Sequence, residues 1–138
     1  MIAVMEAGMK KRAGAESEAV LHDMRAYRRL ALAMPGAVEA SHMGTPDFRI
    51  NGRIFATLAY GDKGLGTLML TPEQQAMFVA EAPEHFSEVA GGWGRAGATL
   101  VRVDAPESVL AGALSTAFHH VLAKQAVKKS VATKKKAR

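Results

Sequence analysis

The sequence predicts a two-layer α+β domain in which helices cover an antiparallel sheet, with the element order α-β(3)-α-β(2)-α. Three observations point to it. Apolar residues recur every three or four positions over 20–34 and again over 110–121, the period of one buried helix face. Between those stretches lie short runs rich in β-branched and aromatic residues, punctuated by glycine-bearing turns. Two further signals, Thr71-Pro72 and Asp104-Ala105-Pro106, combine a capping residue with an early proline, which is how helices begin.

Each element follows in order. From Ser17 to Met34, Val20, Met24, Tyr27, Ala31 and Met34 fall on one helical face, and Pro35-Gly36 stops the helix. Phe48-Arg49-Ile50 and Arg53 to Tyr60 flank Asn51-Gly52, whose residues both tolerate positive φ and so close a two-residue hairpin. That turn pairs Ile50 with Arg53 and Phe48 with Phe55. Gly61 to Gly64 forms a second tight turn into a third strand, Leu65 to Leu70. Thr71 and Gln74 make a capping box for a helix that buries Met77, Phe78 and Ala80 and stops before Pro83. Phe86 to Val89 reads as a short strand, Gly91 to Gly97 as a glycine-rich turn, and Thr99 to Val103 as the last strand. The final helix starts at Asp104 and buries Leu110, Ala113, Leu114, Ala117, Phe118 and Val121.

With 138 residues the chain is one domain, 49% hydrophobic and 22% charged, an ordinary globular composition. Its expected divisions are a flexible N-terminal extension over 1–15, the folded unit over 16–124 and a basic disordered tail over 125–138. The chain has no cysteine, which excludes disulfides, thiolate metal ligands and cysteine nucleophiles. No apolar run approaches the ~18–20 residues that span a bilayer. In the first residues the apolar positions precede Lys10, Lys11 and Arg12, the reverse of a signal peptide. A cytoplasmic location without membrane association is therefore expected.

The net charge of +5 is unevenly spread. Seven basic and no acidic residues lie from Lys124 onward, so residues 1–123 carry eleven basic against thirteen acidic groups, a net of −2. Lys128, Lys129, Lys134, Lys135 and Lys136 make the tail a candidate for non-specific attraction to polyanions. Around the hairpin, His42, Arg49 and Arg53, with Lys63, Arg95 and Arg102, are candidate contacts to nucleic-acid phosphates. Alternation sets Arg49 and Arg53 on opposite faces of the hairpin. The competing reading is solvated strand residues with an arginine paired to a neighbouring carboxylate. Trp93, set among glycines, is either a stacking platform or, as a lone tryptophan more often is, a packing residue.

Neither Gly61–Gly66 nor Gly91–Gly97 has the lysine-serine ending of a phosphate loop, and both lead into strands. His119 and His120 are adjacent and point about 100° apart on a helix, a poor metal pair. No hydrolase motif or paired-carboxylate pattern is present. Neither metal nor cofactor is expected, and an enzyme is the minority reading.

With these elements in place, the chain resembles the YjbR/MmcQ family of small bacterial proteins. Four matches in order carry the resemblance: Arg28 to Gly36, Ser41 to Arg49, Gly52 to Leu58, and Gly91 to Arg95 ending in Thr99. One departure stands out, in that many members have tryptophan or another large residue near Ala98. The resemblance implies a fold akin to frataxin and the secretion chaperones, and members are often labelled DNA-binding. The expected function is thus a non-enzymatic DNA-binding module, with its hairpin, its Gly91–Gly97 loop and its basic tail on the ligand. A protein-interaction or chaperone-like module, with a protein partner or a second copy of the chain, is the alternative. A small-ligand binder or enzyme is the third, and it requires His42, Arg49, Trp93 and Arg95 to converge on one pocket.

Overall fold

The computed structural model describes residues 18–42 and 44–137, and the side chains of these apart from 42, 62 and 126–137. The expected N-terminal extension, 1–15, lies outside the described residues. Helix α1 covers 18–32. Four strands follow: β1 (Val38–His42), β2 (Thr45–Ile50), β3 (Arg53–Tyr60) and β4 (Leu65–Met69). Then come α2 (Pro72–Glu81), β5 (Phe86–Glu88), a single helical turn α3 (Gly92–Arg95), β6 (Ala98–Arg102) and α4 (Glu107–Ala137). The strands form one antiparallel sheet in the order β1-β2-β3-β4-β6-β5. The class is α+β, as the sequence predicts.

Local chemistry explains most boundaries. Asn51 at φ 52° and Gly52 at φ 82° make the β2–β3 turn. Thr71 Oγ1 accepts from the Gln74 N–H at 3.0 Å, and the Gln74 side chain accepts from the Thr71 N–H at 3.0 Å, so the capping box at the start of α2 is complete. A 3₁₀ turn over Gly61–Lys63 joins β3 to β4.

The helices cover one sheet face. Tyr27 of α1 meets Phe48 edge-on, with ring centroids 6.2 Å apart, and Phe55 meets Phe118 of α4 at 5.4 Å and 86°. Phe78 of α2 stacks at a tilt on Phe86, 4.8 Å away. Tyr27 is fully buried, and its hydroxyl donates to the Thr67 carbonyl at 3.2 Å. That bond needs a glycine opposite. A Cβ at Gly66 would lie 2.6 Å from the tyrosine ring.

The structure corrects four expectations. A strand, β1, precedes the hairpin, so four strands stand where three were expected. Val-Glu-Ala-Ser-His has little strand propensity, but an edge strand needs only one partner, and β2 supplies it from Val38↔Arg49 to His42↔Thr45. The hairpin register shifts between Phe48 and Arg49, pairing Phe48 with Ala56 and not Phe55. The extra residue lets Phe55 and Ala56 both be buried. In α2, Met77 is 54% exposed and Ala80 also faces solvent, whereas Gln75 is buried. Periodicity assigns no polar residue to a core, and Gln75 enters because its amide finds two acceptors. Finally, the backbone of α4 is helical to Ala137, past the Gln125 boundary expected for a disordered tail. Alanine, lysine and glutamine favour helix, and neither glycine nor proline occurs after Gly112 to stop it. Among the described residues no helix is long and apolar enough to cross a membrane.

Candidate functional site

The site is built around α3. Its four residues leave a sheet edge by way of Gly91 and return at Gly97, and they are fastened from below. Gln75 Nε2 donates to the carbonyls of Gly94 and Ala98, both at 2.8 Å. Gly94 lies so close to the main chain of Val89 that a Cβ there would sit 1.6 Å from the Val89 carbonyl oxygen. The turn is therefore pressed onto its support, and Trp93 is directed outward, 48% exposed.

Trp93 and Ile54 divide two concavities. The first, of about 210 Å³, is rimmed by Arg53 of β3 and by His120 and Lys124 of α4, with Met69, Leu70 and Ala98 among its apolar residues. Ala98 is buried against this groove. The second, of about 420 Å³, lies toward the sheet face opposite the helices and is lined by Thr45, Pro46, Asp47, Thr57 and Ala59, together with Ile54 and Trp93.

Their electrostatics differ. Asp47 is buried and held in a two-pronged ion pair with Arg49, Nε–Oδ1 at 2.7 Å and Nη2–Oδ2 at 3.1 Å. The second concavity therefore has a neutralised floor. Around the first, neither Arg53 nor Lys124 makes an ion pair among the described residues. Burial, reinforced by the charge of Lys124, holds His120 below the usual histidine pKa of 6.5, so it is neutral at pH 7. Elsewhere four arginines are occupied, whereas Arg25 and Arg95 make no ion pair among the described residues. Arg28 pairs with Glu39 and Arg29 with Glu107. Arg102 grips Asp104 through two bonds of 2.9 and 2.7 Å, and the hydrogen bond from Arg102 lowers the pKa of Asp104.

The sequence-predicted residues are thus partly gathered. Arg53 and Trp93 share the first concavity. Arg49 is bound to Asp47 and Arg102 to Asp104, the arrangement expected under the competing, solvated-strand reading. Lys63 sits in the β3–β4 turn and Arg95 at the end of α3, both exposed and outside either lining. His42 ends β1 with its side chain outside the described set. Lys128, Lys129, Lys134, Lys135 and Lys136 lie on the helical backbone of α4, their side chains likewise outside it. Of the four residues that the small-ligand reading requires to converge, His42 has its side chain outside the described set, Trp93 lines both of these concavities, and Arg49 and Arg95 line neither.

Sequence reasoning missed the burial of Asp47, Thr57 and Gln75 and the role of His120 and Lys124 as a rim. Two signals were available. Asp47 and Arg49 stand two apart on a strand and so share a face. His120 and Lys124 stand four apart on a helix and so adjoin.

Comparison with known proteins agrees with the fold. No curated protein matches the chain. A solved structure from Deinococcus radiodurans, described as a DUF419 domain, superposes with a TM-score of 0.54 at 17% identity. The match covers 66% of this chain and 72% of that one, and shows a shared fold. The model of the YjbR family matches residues 32–120, from the end of α1 to the rim histidine His120, and the chain belongs to that family.

Proposed function

We propose that this protein binds nucleic acid, DNA in the first instance, through phosphates held in the groove that Arg53, His120 and Lys124 form beside Trp93. One observation carries the reading. Arg28, Arg29, Arg49 and Arg102 are each neutralised by a carboxylate, yet Arg53 and Lys124, free of ion pairs among the described residues, meet at one concavity next to an exposed tryptophan. Cations without partners can replace the counterions of a phosphate backbone, which is where most nucleic-acid affinity originates. The helical path of α4 extends this rim. By helical spacing, positions 128 and 135 fall on the same stripe of backbone as 124, and all three are lysines. The resemblance to the YjbR/MmcQ family, whose members are often labelled DNA-binding, implies the same class of ligand.

A partner-protein reading has no comparable support. The large exposed apolar residues Leu21, Leu32, Val38, Tyr60, Met77 and Trp93 are spread over five elements, and only Leu21 and Leu32 share one.

The test is fluorescence anisotropy of a labelled oligonucleotide, single-stranded and duplex, at 50 and 200 mM salt. Each lost phosphate contact should reduce the salt slope by about 0.9 on a duplex. The double variant Arg53→Ala/Lys124→Ala should lose about two such contacts and flatten the slope accordingly. Truncation after Gln125 should flatten it further. Absence of binding to either form of DNA, or an unchanged slope in the double variant, refutes the reading.

A further inference from the structure

The cationic groove accounts for phosphates and leaves the larger concavity unused. That concavity abuts the groove, separated only by Ile54 and Trp93, which line both. Its volume of about 420 Å³ falls in the range of small-ligand sites. Its walls, Pro46, Ile54, Ala59 and Trp93, suit a flat body with little charge. Its one carboxylate, Asp47, is buried and matched by Arg49, so it neither attracts a phosphate nor requires a cation. Thr57 Oγ1 accepts from the Ala59 N–H at 3.1 Å, which leaves its hydroxyl hydrogen available to an acceptor.

We propose that this concavity receives one unstacked base of a single-stranded nucleic acid, laid against Trp93, while the adjoining phosphates lie on Arg53 and Lys124. The inference rests on the nucleic-acid reading above and narrows its ligand from DNA in general to single strands. The juxtaposition carries it. A phosphate-holding groove beside a neutral, largely apolar hollow, with an exposed indole between them, matches the alternation of charged backbone and flat base in a single strand. A duplex offers its phosphates but keeps its bases stacked and paired. To fill the hollow, a base would have to leave the stack, at a cost of a few kcal/mol that a single strand largely avoids.

Trp93 is the only tryptophan of the chain, so its emission reports directly on the hollow. It should be titrated with an unlabelled single-stranded oligonucleotide and with the corresponding duplex at one salt concentration. Anisotropy of labelled forms of the same DNAs would follow the total affinity. The expected result is saturable quenching by the single strand, with tighter binding than to duplex. Trp93→Ala should weaken single-strand binding roughly 5- to 150-fold, the range for loss of one stacked base. Ala59→Phe, at an exposed lining position, should fill the hollow and abolish both quenching and strand preference, while leaving the salt slope on duplex unchanged. Circular dichroism would verify that each variant is folded, and either one suffices. Duplex binding as tight as single-strand binding overturns the inference, as does saturation without change in Trp93 emission, and in both cases the phosphate-groove reading still stands. Loss of binding to both DNAs refutes the two together.

Discussion

Replacing Gln75 by leucine tests how the platform under Trp93 is held. In the native protein the Gln75 amide joins α2 to α3 and β6 through two 2.8 Å bonds to carbonyls. A carbonyl stranded without any donor costs about 1–3 kcal/mol, which for two would suggest a severe loss. The carbonyls in question are not stranded. Gly94 O also accepts from the Gly97 N–H at 3.0 Å, and Ala98 O from the Val89 N–H at 3.2 Å. Each keeps one bond, and leucine adds apolar contact of similar volume. The expected cost is therefore about 1–2 kcal/mol, near the net value of one or two hydrogen bonds. In a domain of this size that lowers Tm by roughly 4–8 °C. Urea unfolding followed by circular dichroism gives the free energy, and Trp93 emission shows whether α3 has loosened. Gln75→Glu should cost more at neutral pH, because its carboxylate would face two carbonyl oxygens with nothing to donate. Its pKa would be raised in the folded state, so the added penalty is present above the unfolded pKa and relieved as the pH falls through the folded value. A Gln75→Leu protein with unchanged Tm and unchanged emission would refute the assignment of Gln75 as the fastener of α3.

Three further outcomes follow from the same geometry. Gly66→Ala should cost about 1–3 kcal/mol, an overpacking penalty, because its Cβ would press to 2.6 Å from Tyr27. In a Tyr27→Leu background the cost should shrink, and a double-mutant cycle in urea measures the difference. Arg49→Ala should lower the urea midpoint more than Arg102→Ala: the first strands a buried carboxylate, while the second exposes Asp104, already half in solvent. His120 is held below its ordinary pKa, so any stability tied to its neutral form is present above about pH 6.5 and lost on acidification through the folded value. Its protonation adds a cation to the groove, so DNA affinity should rise several-fold as the pH falls below 6.5 through the folded value in the native protein but not in His120→Gln.

The fold was legible where side-chain chemistry acts locally. Asn51-Gly52, the Thr71–Gln74 box and the stripes of α1 and α4 each dictate their own conformation, and each stands where the sequence places it. The misses needed information from distant chain segments. The edge strand β1 exists because β2 offers hydrogen-bond partners, which its own residues do not announce. The bulge at Phe55 depends on both strands of the hairpin. Gln75 is buried only because carbonyls 19 and 23 residues further along the chain accept its amide. Met77 is exposed for the related reason that α2 turns Gln75, Phe78 and Val79 inward. The site shared this limit. Arg53 and Trp93 were recognised, but their meeting with Lys124 and His120 depends on the packing of α4 across the sheet.

That packing also resolves the apparent conflict between a basic protein and an acidic-leaning body. Net charge over residues 1–123 argues against a broad positive surface, but a phosphate responds to local, unpaired charge. The carboxylates of the body are spent in part on Glu39–Arg28, Glu107–Arg29, Asp47–Arg49 and Asp104–Arg102. Those pairs remove as many cations as anions from the field. At the groove they leave Arg53 and Lys124 unmatched among the described residues, beside His120. A field of this kind is short-ranged, about 8 Å at physiological salt. Under the proposed reading it would act on a phosphate already near Trp93, within reach of Arg53 and Lys124.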